Sequence, residues 1–193
     1  INHGFHEDAT DWAAHCAAVA SNLGVAFHER VVSIHAGASP EAQARDARYS
    51  VFESFLAAGD VLLLGHHLDD QVETVLFRLI RGAGPSGLAG MPEMRPLGRG
   101  LLMRPLLGIT RDQIENYAGS HELAHLHDGS NDDTRYDRNF LRHEVLPLIE
   151  SRWPGYRSGF ARSATLSREL AASVHFDHLT EYTRYGGPYL PMD

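Results

Sequence analysis

Val61-Leu62-Leu63-Leu64-Gly65-His66-His67-Leu68-Asp69-Asp70-Gln71-Val72-Glu73-Thr74 is the stretch on which the fold of this chain turns. Its first five residues are an apolar run of strand length closed by glycine. Beyond it, Val72, Val75, Leu76, Leu79 and Ile80 fall at helical spacing and Arg81-Gly82 supplies a stop, which predicts a helix over 70–81. A buried strand that passes directly into a helix is the repeating unit of an open parallel sheet, where ligands collect outside the carboxyl ends of the strands. Asp70 and Glu73 are helical neighbours three residues apart, and His66 precedes them by about one turn. Two carboxylates and an imidazole therefore meet where a ligand is expected. The same acids would also suit the positive end of the helix dipole. His66, Asp70 and Glu73 further mix nitrogen and oxygen donors as a metal site does.

Working outward, Asp11 to Leu23 reads as a helix with Trp12, Cys16, Val19, Ala20 and Leu23 on one face and Gly24 as its stop. Val25 to Ile34 is apolar enough for a strand. Ser39-Pro40-Glu41 opens a second helix, with Ser as cap and Pro in the first position; it carries Ala44, Val51, Phe52 and Phe55 inward. Downstream, residues 82–100 form a Gly- and Pro-rich loop, and loops of that length usually carry function. Leu101-Leu102-Met103 suggests a short strand. Thr110 with Gln113 makes a capping box for a helix bearing Ile114 and Tyr117. A turn at 128–132 precedes a helix through Asn139 and Leu146 to Pro147, and a further helix runs from Tyr156 to about Val174. The tail 186–193 reads as frayed. Strand, helix, strand, helix in this order gives an α/β fold, a doubly wound parallel sheet with helices on both faces and a helical C-terminal extension.

The 193 residues suit one ordinary domain with its own core, and 43% hydrophobic with 22% charged residues is a soluble globular composition. Cys16 is the single cysteine, which excludes an internal disulfide framework and a cysteine zinc cluster. No apolar run approaches the roughly 20 residues that span a bilayer, and no signal peptide is visible; no membrane partner and a cytoplasmic location follow by default. The net charge of −8 is unevenly spread: residues 78–111 hold six Arg and a single acid, while the flanks are acidic. Such a basic stripe can collect phosphates, or simply lie solvated on the surface. All 17 basic residues are Arg, the better bidentate phosphate ligand.

Three separated stretches agree with one family. Gly65 to Thr74 resembles the second signature of the N-type ATP pyrophosphatases, the PP-loop superfamily, in the version of the tRNA(Ile)-lysidine synthetases. Arg81-Gly82-Ala83-Gly84-Pro85-Ser86-Gly87-Leu88-Ala89-Gly90-Met91 is similar to the loop that follows it there. Asp128-Gly129-Ser130-Asn131 with Tyr136-Asp137-Arg138-Asn139-Phe140-Leu141-Arg142 resembles the family's D-x-S-N…Y-x-R-N-x-x-R motif, and Arg104-Pro105-Leu106-Leu107 and Ala44 to Tyr49 also fit. The likeness covers residues 1 to about 170. Each motif alone is weak; all in order at family-like spacing are specific.

The resemblance implies an adenine nucleotide alpha hydrolase-like sheet, with residues 1–150 as a partial catalytic domain and 151–193 as a helical linker and tail. It implies use of ATP with Mg2+, and ligation of free lysine to the wobble cytidine of tRNA(Ile) through an adenylated tRNA intermediate. Its partners would be the tRNA(Ile) anticodon stem-loop and free lysine, with room for a homodimer. Asp70, Glu73 and His66 take the catalytic positions, Asn2, His3 and Arg45 (with Arg48 beside it) the nucleotide-binding ones, and Arg81, Asn131, Arg138, Asn139 and Arg142 those that face tRNA. No resident metal ligand is expected. The family's S-G-G-x-D-S loop is absent from the sequence, so the chain is read as incomplete at its N-terminus and is expected to have little activity as it stands. Rival readings are a PP-loop enzyme of tRNA thiolation, a metal-dependent hydrolase built on His66, Asp70 and Glu73, and a non-catalytic RNA-binding module over residues 78–142.

Overall fold

The computed structural model describes residues 1–2, 8–32 and 40–173. The chain divides into two compact units. The first takes residues 1–64, 93–105 and 123–127. It holds helix α1 (Ala9–Asn22), helix α2 (Pro40–Phe55) and a three-stranded sheet of β1 (Val61–Leu63), β2 (Met94–Leu97) and β3 (Gly100–Met103), in the order β1-β3-β2. β1 pairs parallel with β3, Leu62 against Leu102, as the resemblance implies. Leu102, on the central strand, is fully buried.

Four expectations are corrected in this unit. β2 arises inside the predicted loop and runs antiparallel to β3, so the sheet is mixed. Its hairpin closes through Gly98 at φ +54°, a backbone conformation that glycine adopts without a Cβ penalty. Pro96 is tolerated because β2 is an edge strand, where a missing N–H breaks no second ladder. The strand predicted from Val25 is not formed over the described residues; only a single parallel bridge joins Asn2 to Val31. A helix stripe is buried only when a packed layer faces it, and α1 has no buried residue: Val19 is 40% exposed, and Leu23 at its C-cap 72%. Phe55 of α2, expected inward, is exposed, its ring beside His28 and under Arg30.

The second unit takes residues 65–92, 106–122 and the described chain from 128. Its elements are α3 (Leu68–Ile80), α4 (Pro85–Leu88), α5 (Arg111–Ser120), a 3-10 turn (Gly129–Asp132), α6 (Asp137–Phe140), a π-helical turn (Leu141–Val145), α7 (Leu146–Arg152) and α8 (Tyr156–Ser173). Val72, Leu146 and Tyr156 form its core, with Leu76, Ile149 and Phe160 packed against them. The Thr110–Gln113 capping box is realised: the hydroxyl accepts the Gln113 N–H and the Gln113 amide oxygen accepts that of Thr110. Pro147 does not end its helix as expected. Proline removes a backbone donor and crowds the carbonyl four residues back; the chain answers by widening, with the Leu146 N–H bonded to the Leu141 carbonyl. Among the described residues no helix is long and apolar enough to cross a membrane.

Candidate functional site

The start of α3 gathers four of the predicted residues, Asp70, Glu73, Arg138 and Arg142. His67 is its N-cap, and its backbone N–H is accepted by Asp70 Oδ2 at 2.9 Å. The His67 ring lies 3.7 Å from Asp69 and 3.5 Å from Asp70. Asp69 Oδ2 accepts the backbone N–H of Arg111, the first residue of α5, at 2.7 Å, and its Oδ1 accepts Arg157 Nε at 2.6 Å. One helical turn on, Glu73 is fully buried, and Arg142 grips both of its oxygens, Nε at 2.7 Å and Nη2 at 3.0 Å. Arg142 Nη2 also stands 3.6 Å from Asp70 Oδ1. Arg138, one turn before Arg142, donates to Thr74 Oγ1 at 3.2 Å. Arg138 and Arg142 are therefore directed at consecutive residues of α3, Thr74 and Glu73. A small cleft of about 120 Å³ opens here, lined among others by Asp69, Glu73, Arg142, Glu150, Tyr156 and Arg157.

The electrostatics divide the acids. Burial pushes the Glu73 carboxyl above the ordinary glutamate value, and the Arg142 hydrogen bonds and charge offset only part of that. Burial acts on Asp69 in the same sense, but Arg157, the Arg111 N–H and His67 outweigh it and hold that carboxyl below its ordinary value. Burial also works against the charge of Arg142 and Arg157, yet their carboxylate partners keep both guanidiniums more firmly protonated than usual. Asp69 is thus saturated by structural ties. Asp70, with one oxygen on the helix cap and the other near Arg142, is the carboxylate with capacity to spare. Such a set can bind a cationic amine, hold it against a phosphate-bearing partner and take its proton.

Other predicted residues have more local duties. His66 is half-buried just ahead of the cap. Asn139 is buried and donates to the Ser130 and Asp133 carbonyls, which shapes the turn before α6. The Asn131 carbonyl meets His143 Nε2 at 2.9 Å. Arg81 lies over Phe77 at the end of α3. In the first unit, the guanidiniums of Arg45 and Arg95 lie 5.2 and 5.3 Å from the Tyr49 ring centre, and Arg48 is half-buried. Asn2 donates to Glu29. His3 lies outside the described residues.

Sequence reasoning missed several residues that order this region. The Gln71 amide exchanges two hydrogen bonds with Met91, Arg78 donates to the Gly87 and Gly90 carbonyls, and Arg168 donates to those of Ala89 and Met91. These ties pin the loop after α3. Gly90, at φ +65°, sits where a Cβ would lie 2.7 Å from the Gln71 amide. Arg157 was missed as well; no spacing rule links it to Asp69, 88 residues away.

Among the described residues no three His, Cys, Asp or Glu side chains are grouped to hold a metal ion. Cys16 is exposed on α1.

The sequence matches the PP-loop domain family over residues 1–149. It is 50% identical over 169 residues to a tRNA(Ile)-lysidine synthase of Pseudomonas fluorescens (strain Pf0-1), an alignment covering 88% of this chain and 38% of that protein. A protein of the same name from Legionella pneumophila (strain Lens) is 46% identical over 174 residues, 90% of this chain and 40% of its own. The chain thus spans about two fifths of the length of these relatives. Among solved structures, the U34-tRNA thiolase NcsA from Methanococcus maripaludis superposes with a TM-score of 0.68 at 17% identity, covering 90% of this chain and 60% of that one, a likeness of fold.

Proposed function

This chain belongs to the PP-loop domain family, and we propose that the whole protein is a ligase that uses ATP to join lysine to the wobble cytidine of tRNA(Ile), forming lysidine. The observation that carries the reading is the pair Asp70 and Glu73 on successive turns of α3, facing the single guanidinium of Arg142 with Arg138 beside it. ATP activates the cytidine as an adenylate and pyrophosphate leaves. The lysine amine then displaces AMP: a C–N bond forms, the C–O bond to AMP breaks, and the amine proton passes to a carboxylate. In this reading Asp70 binds the ammonium and accepts that proton, with Glu73 and Arg142 fixing its setting and His66 at the edge of the site. Arg138 and Arg142, with Arg81 and Asn131, face the anticodon stem-loop or the activated intermediate, while the buried Asn139 shapes the turn before α6.

For the nucleotide, Arg45 is an exposed arginine suited to phosphate, while the Asn2 amide is engaged with Glu29. The acids near α3 do not by themselves make a Mg2+ site, because Glu73 is held by Arg142 and Asp69 by Arg157 and the Arg111 N–H. Thiolation is supported by fold likeness alone.

Incubating the intact protein with ATP, lysine and tRNA(Ile), then digesting the tRNA to nucleosides for mass spectrometry, tests the reading. Lysidine is expected, with AMP and pyrophosphate released in equal amounts. A thiolated nucleoside, or no change to the wobble cytidine, would overturn it.

A further inference from the structure

We infer that Arg157, on α8 and beyond the PP-loop domain match at residues 1–149, is a positioning residue that sets the start of α3 through Asp69; the inference rests on the proposed site at Asp70 and Glu73. Arg157 Nε donates to Asp69 Oδ1 at 2.6 Å, while Nη1 binds Glu150 of α7. The helical segment 137–152 is therefore tied to α3 twice. One tie is direct, Arg142 to Glu73, and the other passes through Arg157, from Glu150 to Asp69. Asp69 in turn holds the N-terminus of α5 by the Arg111 N–H. With Arg157 in place, both Asp69 oxygens are committed, and the backbone carrying Asp70 is fixed from two sides.

The same helix reaches the far side of the region as well. Arg168, eleven residues on, takes the Ala89 and Met91 carbonyls, and Met91 is the partner of Gln71 on α3. Tyr156, next to Arg157, packs in the core with Val72, and Ala164, between the two arginines in sequence, is buried. An apolar contact would have sufficed to dock α8. A guanidinium that spans two acids on two other elements adds orientation, which a packed methyl group does not.

The groups that face Asp69 are His67 on its own helix, Arg111 at the start of α5, Arg142 and, from α8, Arg157, with Glu150 and Tyr156 on the far side of Arg157. Losing Arg157 leaves Asp69 free to rotate off the Arg111 N–H, and displacement of Asp70 by about 1 Å costs on the order of 100-fold in rate.

The test compares Arg157→Gln, Arg157→Lys and, as a control on the exposed side of α8, Arg162→Gln in the intact protein. The first readout needs no turnover: amide exchange at Arg111 is expected to quicken about tenfold or more in Arg157→Gln and to stay unchanged in Arg162→Gln. In lysine-dependent turnover, Arg157→Gln should lower kcat about 100-fold with the KM for ATP within about threefold. The acid limb of the rate profile should move to higher pH, and Arg157→Lys should recover most of kcat. Unchanged exchange at Arg111, or a loss that follows melting temperature alone with an unmoved acid limb and no rescue by Lys, would overturn the inference. If the parent protein makes no lysidine, the functional reading falls, and the exchange measurement still decides the role of Arg157.

Discussion

Helices α1 and α3 are nearly equal in length, 14 and 13 residues, and their burial is opposite to what their composition suggests. α1 is mostly alanine and other apolar residues, yet none of its residues is buried. α3 buries five residues in succession, Gln71 to Val75, and three of them are polar. The polar three are each met: Gln71 by the Met91 backbone, Glu73 by Arg142, Thr74 by Arg138. Their ends differ too. Asp8 caps α1 without a side-chain hydrogen bond, whereas the Asp70 carboxylate closes the first turn of α3. Apolar content makes a helix available for packing, but groups from other elements decide whether it is packed. In α3 those groups are largely charged. A buried charge network is a costly way to hold a helix, since replacing such a pair with hydrophobic residues is often neutral or stabilising; its presence fits a surface kept for chemistry.

The contrast breaks most visibly at Arg142. Arg142→Ala leaves the Glu73 carboxylate buried and uncompensated, and should cost about 3–5 kcal/mol in denaturant unfolding. Gly90→Ala attacks the loop ties instead: with a positive φ and a Cβ against the Gln71 amide, it should cost about 1–3 kcal/mol by the same measurement. Val72→Ala, which opens a hole in the core beside Leu146 and Tyr156, should cost about 2 kcal/mol.

Smaller effects sharpen the comparison through pH. Asp69 has a folded value below 3.8, so the folded state binds fewer protons there than the unfolded one. Its contribution is complete above 3.8 and is lost as pH falls through the folded value. Glu73, raised above 4.5, works the other way: the stability it contributes is present below 4.5 and declines as pH rises through its folded value. Glu73→Gln should therefore flatten the loss of stability above pH 4.5, whatever its effect on the absolute level, in a series of melts against pH. Leu23→Ala at the C-cap of α1, at a side chain 72% exposed, should change stability by less than about 0.5 kcal/mol.

What could be read in advance follows from the range of the forces involved. The apolar run at 61–65, the helix after it, the Thr110 capping box and the helix from Tyr156 are local features, and each appears within a few residues of its predicted bounds. Asp70, Glu73, Arg138 and Arg142 were legible as types at helical spacing, and the structure brings them together. Their pairing was not legible, because Arg142 and Glu73 are 69 residues apart and only tertiary packing selects that contact over an exposed position. β2 was hidden by Gly and Pro, which signal a loop and equally allow an edge hairpin. The Val25 strand failed in the opposite sense: its residues favour pairing, but over the described span only one bridge is made. Pro147 marked a helix end, and a widened turn carried the helix past it.

The claim that the start of α3 is kept for chemistry is tested most directly by Asp70→Asn in the intact protein. Asparagine is isosteric and still offers an oxygen to the His67 N–H, so the melting temperature should stay where it was. Lysidine formation on tRNA(Ile), followed by mass spectrometry of the digested tRNA, should fall at least about 100-fold. Full turnover in this variant at an unchanged melting temperature would contradict the account and leave α3 a structural helix with an unusually charged first turn.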